Sequence, residues 1–138
     1  RDLTSITYKS RCTVMAGNLS DPYTGKSIHY VRGEKTPDGK RYLVELDHVV
    51  PVDLAMQKGA QQWPQNKRVD FANDMDNVLA VDGPANGQKS NADAATWLPP
   101  NKSFRKEYAA RIVYITWKYG LWLLPPEKAA LDRLLRGA

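Results

Sequence analysis

Phe104, Tyr108, Ile112, Ile115 and Tyr119 recur at steps of four, four, three and four. That spacing predicts one apolar stripe on a helix over residues 101–119, with Gly120 placed to end it. A final helix is predicted over residues 125–135, opened by prolines whose fixed φ suits a first turn. Upstream the period shortens. Residues 26–32 alternate as a strand, Thr36-Pro-Asp-Gly39 is a turn, and residues 41–50 read as the next strand, so the two predict a hairpin. Pro51, lacking an amide donor, ends that ladder. Residues 53–60 read as a helix with Asp53 as N-cap, and residues 68–74 as a short helix. Residues 77–81 read as a short strand, and Asp82-Gly83-Pro84 opens another helix. Ser20-Asp-Pro-Tyr-Thr-Gly25 is turn chemistry, and residues 1–19, apolar at irregular intervals, fit a helix or a strand. The predicted class is α+β in a single domain over residues 1–138. A β-β-α core at about 41–98, with an additional N-terminal hairpin, is followed by a basic helical part at 101–136.

Composition adds limits. The 138 residues suffice for one buried core, and no apolar run approaches the roughly 20 residues that span a bilayer. The longest, Gly120-Leu-Trp-Leu-Leu-Pro125, reads as a loop or turn. The chain opens at Arg1 with no signal-peptide pattern, which suggests a processed fragment. Cys12 is the only cysteine, which excludes an internal disulfide and a CxxC zinc knuckle; it reads as a small buried hydrophobe or a thiol paired elsewhere. The net charge of +5 is unevenly placed: residues 1–100 carry equal numbers of acidic and basic side chains, so the excess lies in residues 101–138. Such a segment suits a polyanionic partner, or serves solubility alone.

Asp47-His48 closes the strand at 41–50 and sets a hard-metal ligand beside a base whose ordinary pKa is near neutral. Asn86 can add an amide oxygen, and Lys89, three residues on, shares its helix face and can touch phosphate. Adjacent strand residues point to opposite faces, so the backbone must bend near Asp47-His48, before Pro51, for both to serve one site. Taken alone, each piece has a plainer reading. An Asp-His pair is more often structural, Asp76-Asn77 is ordinary turn chemistry, and Asn86 and Lys89 would normally be solvated. His29 reads as structural, and the four tryptophans as core or loop anchors.

Together, Glu45-Leu-Asp-His-Val-Val-Pro51, Asp76-Asn-Val-Leu-Ala-Val81 and Ala85-Asn-Gly-Gln-Lys-Ser90 resemble the HNH (ββα-metal) nuclease motif in its His-Asn-Asn form. Asp21-Pro-Tyr-Thr-Gly25, Arg32-Gly33, Phe71-Ala-Asn-Asp74 and Ala94-Ala-Thr-Trp-Leu-Pro-Pro-Asn101 extend the resemblance to the secreted HNH nucleases of actinobacteria. That group is related to the C-terminal domain of modification-dependent type IV restriction endonucleases. The resemblance implies an endonuclease of low sequence specificity acting on DNA, with RNA as an alternative substrate. His48 is its general base, Asn77 braces the loop that carries His48, and Asp47 and Asn86 are the metal ligands. Asn86 stands where many HNH proteins have a histidine, so the ion is held by oxygens alone: Mg²⁺ first, Mn²⁺ or Ca²⁺ as alternatives. Lys89, Arg105, Lys106 and Arg111 are the expected phosphate contacts. Further expectations are a monomer, secreted or in the cell envelope (cytoplasmic if part of a restriction system), and Cys12 paired with an upstream cysteine. The alternatives are a non-catalytic basic binding module, or the nuclease domain of a secreted toxin with an immunity or inhibitor partner.

Overall fold

The computed structural model describes residues 1–137. The N-terminal segment forms two strands, β1 (Leu3–Ser10) and β2 (Thr13–Ser20), joined by the turn at Arg11-Cys12. Cys12 is exposed, so the buried-hydrophobe reading fails. β3 (Ser27–Val31) completes an antiparallel sheet in the order β1-β2-β3. His29 lies on it, its Nδ1 3.0 Å from the Asn18 side-chain oxygen.

The predicted pairing of strands 26–32 and 41–50 does not form. β3 pairs only with β2, while β4 (Val44–His48) pairs antiparallel with β5 (Val78–Asp82), from Val44↔Asp82 to His48↔Val78. Beyond β3 the chain turns back on itself through the bridge Lys35↔Tyr42, with the Thr36 amide donating to Arg41 and the Leu43 amide to Glu34. β5 is buried at four of its five positions, so it offers β4 a better apolar neighbour than the exposed β3.

α1 (Val52–Met56) and a 3₁₀ turn at Ala60–Gln62 follow β4, and α2 (Gln65–Ala72) leads to a second 3₁₀ turn at Met75–Asn77. Asp53 stands in the first turn of α1 and is not its cap, because the helix opens at Pro51. α3 (Gly83–Lys89) starts directly from β5, capped by the Asp82 side chain accepting from the Ala85 amide at 2.9 Å. At Gly83 a Cβ would lie 1.9 Å from the Tyr42 carbonyl oxygen, so only glycine lets the chain turn this close to the start of β4.

α4 (Arg105–Tyr119) and α5 (Pro125–Leu135) complete the chain, and the predicted stripe from Phe104 to Tyr119 is buried throughout. Gly120 adopts the left-handed conformation that ends α4. Phe104 and Tyr108 pack with Tyr23 and Trp97 at ring separations of 5.1–6.3 Å; Tyr119 packs on Trp63 and Phe71. Trp63 and Trp97 pack against the core, but Trp117 is 76% exposed on α4, so the anchor reading does not extend to it. Among the described residues no helix is long and apolar enough to cross a membrane.

Two ties hold these layers together. The Asp21–Gly25 turn plants Tyr23 in the core, and Asp21 accepts from the Asp82 amide at 3.0 Å, joining the first sheet to the end of β5. Lys58, just past α1, places Nζ 2.7 and 2.8 Å from the two oxygens of Glu127 on α5, with both side chains buried. Removing one partner strands the other charge inside the protein. Lys58→Met is therefore expected to cost about 3–5 kcal/mol of stability, read as a lowered urea midpoint; an unchanged midpoint would show that the pair is not needed.

Candidate active site

β4 is regular through His48, which still pairs with Val78, and bends only at Val49-Val50. The bend precedes Pro51 but follows the Asp-His pair. The two side chains leave opposite faces of the strand, as the pleat requires. Asp47 runs to Tyr23 and Lys89, His48 to the end of α2. Both nonetheless line one open cleft of about 340 Å³ at the strand end, together with Arg41, Asp53, Asn86, Gly87 and Asn91.

Asp47 is buried, and one of its oxygens carries all its protein contacts. Oδ2 accepts from the Tyr23 hydroxyl and lies 2.8 Å from Lys89 Nζ. Burial, with the charge of Asp47 behind it, pushes the Tyr23 phenol well above its ordinary range, so Tyr23 stays a donor. Oδ1 has no hydrogen-bond donor among the described residues. One carboxylate oxygen is thus anchored and the other is left to the cleft.

Lys89 is 0% exposed, and its Nζ also donates to the His48 carbonyl at 2.8 Å. Burial pulls its pKa below the usual lysine value, while Asp47 opposes the fall. The expected phosphate contact is corrected here: the ammonium is spent inside the protein, between Asp47 and the strand. Asn86, one turn earlier on α3, gives its amide Nδ2 to Glu45 Oε1 at 3.0 Å. That assignment turns Asn86 Oδ1 away from the donor side. The same Glu45 oxygen accepts from Arg41 at 2.6 Å.

His48 Nε2 lies 2.7 Å from the Ala72 carbonyl oxygen. A carbonyl only accepts, so Nε2 is the protonated nitrogen, and in the neutral imidazole Nδ1 is the one left with a lone pair. Asn77, wholly buried, accepts from the Val50 amide at 2.8 Å and donates to the Val50 carbonyl at 2.9 Å. Its own carbonyl accepts from the Val49 amide. The bend after His48 is therefore fastened to the start of β5 by three hydrogen bonds.

Arg105, Lys106 and Arg111 do not line the cleft. Arg105 donates to the Pro99 carbonyl at 2.8 Å, and Arg111 lies 3.3 Å from Glu107. The cleft's cation is Arg41, which the sequence reading missed. It packs on α3 where a Cβ on Gly87 would come within 2.8 Å of its guanidinium. Glu45 and Tyr23 were missed as well; Glu45 lay inside the recognised motif, three residues before His48, and Tyr23 inside the recognised turn. Among the described residues no three His, Cys, Asp or Glu side chains cluster as metal ligands.

The profile of the GmrSD restriction endonuclease C-terminal domain matches residues 1–133. The chain belongs to this family. GmrSD C-terminal domains are parts of restriction endonucleases, and the family assignment supports nuclease function. The chain is also similar to a protein of Arthroderma benhamiae described as an uncharacterized secreted protein, at 29% identity over 137 residues, covering 98% of this chain and 62% of the relative. It thus spans less than two-thirds of that relative's length.

Asn77→Ala is expected to leave the Val50 amide and carbonyl unpaired inside the protein. The expected loss is about 1–3 kcal/mol for each such group, read by chemical denaturation. Faster amide exchange at Val49 and Val50 should accompany it; native-like protection there would contradict the fastening role.

Proposed function

We propose that this chain is an HNH-type, metal-dependent endonuclease that hydrolyses DNA phosphodiester bonds with low sequence specificity. The observation that carries this is His48: its Nε2 donates to the Ala72 carbonyl, which leaves Nδ1 as the nitrogen able to accept a proton, on a side chain that lines one cleft with Asp47 and Asn86. β4, β5 and α3 pack on one another, which supports reading them as the ββα unit of such a site. The GmrSD family match supports DNA as the substrate, and the name of the Arthroderma benhamiae relative supports secretion.

The donor set fits a hard divalent ion, Mg²⁺ or Mn²⁺. Asp47 keeps one oxygen unpartnered, Asn86 commits its Nδ2 to Glu45 and leaves its oxygen free to accept, and both residues line the cleft. When bound by them, the ion would stabilise negative charge developing on the phosphate and on the leaving oxygen.

The remaining steps belong to the protein. His48 Nδ1 accepts a proton from a water as that water's oxygen attacks phosphorus; the bond from phosphorus to the 3′ oxygen breaks opposite it, and the leaving oxygen takes a proton from solvent. The Ala72 carbonyl stabilises the imidazolium that results, because Nε2–H points at it. Arg41, held by Glu45, is the cation placed to meet a phosphate oxygen in the cleft. A binding module without catalysis is less well supported. Arg105, Arg111, Lys118 and Lys128 on the basic helices are engaged within the protein.

His48→Ala should lower plasmid nicking at least about 10²-fold, the usual size of a general-base contribution, with an unchanged melting profile. Undiminished nicking by that variant would remove His48 from the mechanism. Exhaustive EDTA treatment should stop turnover and added Mg²⁺ or Mn²⁺ should restore it; cleavage that survives the chelator would exclude the metal-assisted route.

A further inference from the structure

Two carboxylates, Asp47 in the cleft lining and Glu45 beside Asn86, are already matched by cations of the same protein. Asp47 lies 2.8 Å from Lys89, and Glu45 lies 2.6 Å from Arg41. Asn86 is neutral, and the remaining carboxylate of the lining, Asp53, is exposed and bonded to the Asn91 amide at 3.1 Å. Lys89 has no route away from this arrangement. It is fully buried, and its Nζ is bonded to the His48 carbonyl as well as to Asp47.

We propose that Lys89 holds the Asp47 carboxylate at net neutrality in the free protein, so that a divalent cation is retained only when a nucleic-acid phosphate enters the cleft with it. The affinity of oxygen sites for hard cations follows the number of charged ligands they supply. Here Asp47 and Asn86 supply one carboxylate and one amide, while Asp53, the other carboxylate of the lining, accepts from the Asn91 amide. An ion at Asp47 Oδ1 meets the repulsion of an ammonium on the other oxygen of the same carboxylate, in a buried setting where salt screens little. A phosphate contributes the missing negative oxygens, and the cleft has room for one. By linkage the effect is reciprocal: whatever factor the phosphate adds to metal affinity, the metal adds to nucleic-acid affinity. Lys89 is thus a positioning residue that makes the site depend on its substrate.

This rests on the nuclease reading, and the test separates the two. Mn²⁺ is titrated into the protein in the His48→Ala background, which keeps DNA intact. Free Mn²⁺ is read by its electron paramagnetic resonance signal, with and without a short DNA duplex, and the duplex alone serves as blank. The expected dissociation constant without duplex is about 1 mM or weaker. With duplex, affinity should rise about tenfold or more, and duplex affinity measured by fluorescence anisotropy should rise by the same factor with Mn²⁺. Adding Lys89→Met should tighten Mn²⁺ binding to the free protein about tenfold and shrink the effect of the duplex. Lys89→Gln removes the charge but keeps an amide that can donate to Asp47 or to the His48 carbonyl, and should shift both quantities the same way. It carries the test if circular dichroism finds the Lys89→Met variant unfolded. Mn²⁺ affinity indifferent to the duplex, or no tightening in the folded variants, overturns the proposal. A wild-type protein that never nicks plasmid but retains the linkage counts against hydrolysis alone; one that cleaves but binds Mn²⁺ tightly without duplex counts against the proposal alone.

Discussion

An ammonium with no exposed surface must find its partners inside the protein, and Lys89 finds them at the end of β4. That requirement locks α3 against the strand. It places Asn86, one turn earlier, beside Glu45, and commits one oxygen of Asp47 while the other stays uncommitted. The same lysine grips the His48 backbone, so the strand that carries His48 and the helix that carries Asn86 cannot shift independently. Tyr23, donating to the oxygen that Lys89 also holds, ties this arrangement to the aromatic packing beneath α4.

The site is therefore built from short elements secured by buried polar contacts. α3 has seven residues, β4 and β5 five each, and none would be stable alone. Their order comes from single side chains that bridge elements distant in sequence: Asp21 to the Asp82 amide, Asn77 to Val50, Lys89 to Asp47. Such contacts are costly to leave half-made in a low-dielectric interior, which is what makes them specific. The longer C-terminal helices have a different part. Their stripe forms the floor of the core, and part of their positive charge is answered locally, Arg111 by Glu107, Lys118 by Asp74, Lys128 by Asp132. Burial pushes the Tyr119 phenol up to about 12, helped by its hydrogen bond to Asp74, so that helix end too is fastened by a neutral donor.

Local chemistry was the legible part of the fold. The stripe from Phe104 to Tyr119, Gly120 as its stop, the opening prolines of α5 and the turn at Asp21–Gly25 each announce themselves within a few residues. The strand at 26–32 was legible as a strand, but not in its partner. Alternation shows that a segment is extended without naming its neighbour, and the choice of β5 over β3 for β4 depends on burial that emerges only in the assembled core. Residues 1–19 were ambiguous for a similar reason: β1 is bulged near Ser5, where φ is 50°, and the register shifts blur its period.

By itself the sequence determined which residues were available for chemistry. It put an aspartate beside a histidine ahead of a proline, an asparagine before the next strand, and an asparagine and a lysine on one helix face. The tertiary structure decided what each side chain is committed to. Lys89 looked like a surface cation and is a buried counter-ion. Arg41, unremarkable before the strand, is the cation of the cleft, while Arg105, Lys106 and Arg111 lie outside its lining. The physical reason is that residue type and spacing set which groups can reach one another within an element. Burial and pairing, which settle whether a charge meets water, an ion or another side chain, arise only when separate elements close around it.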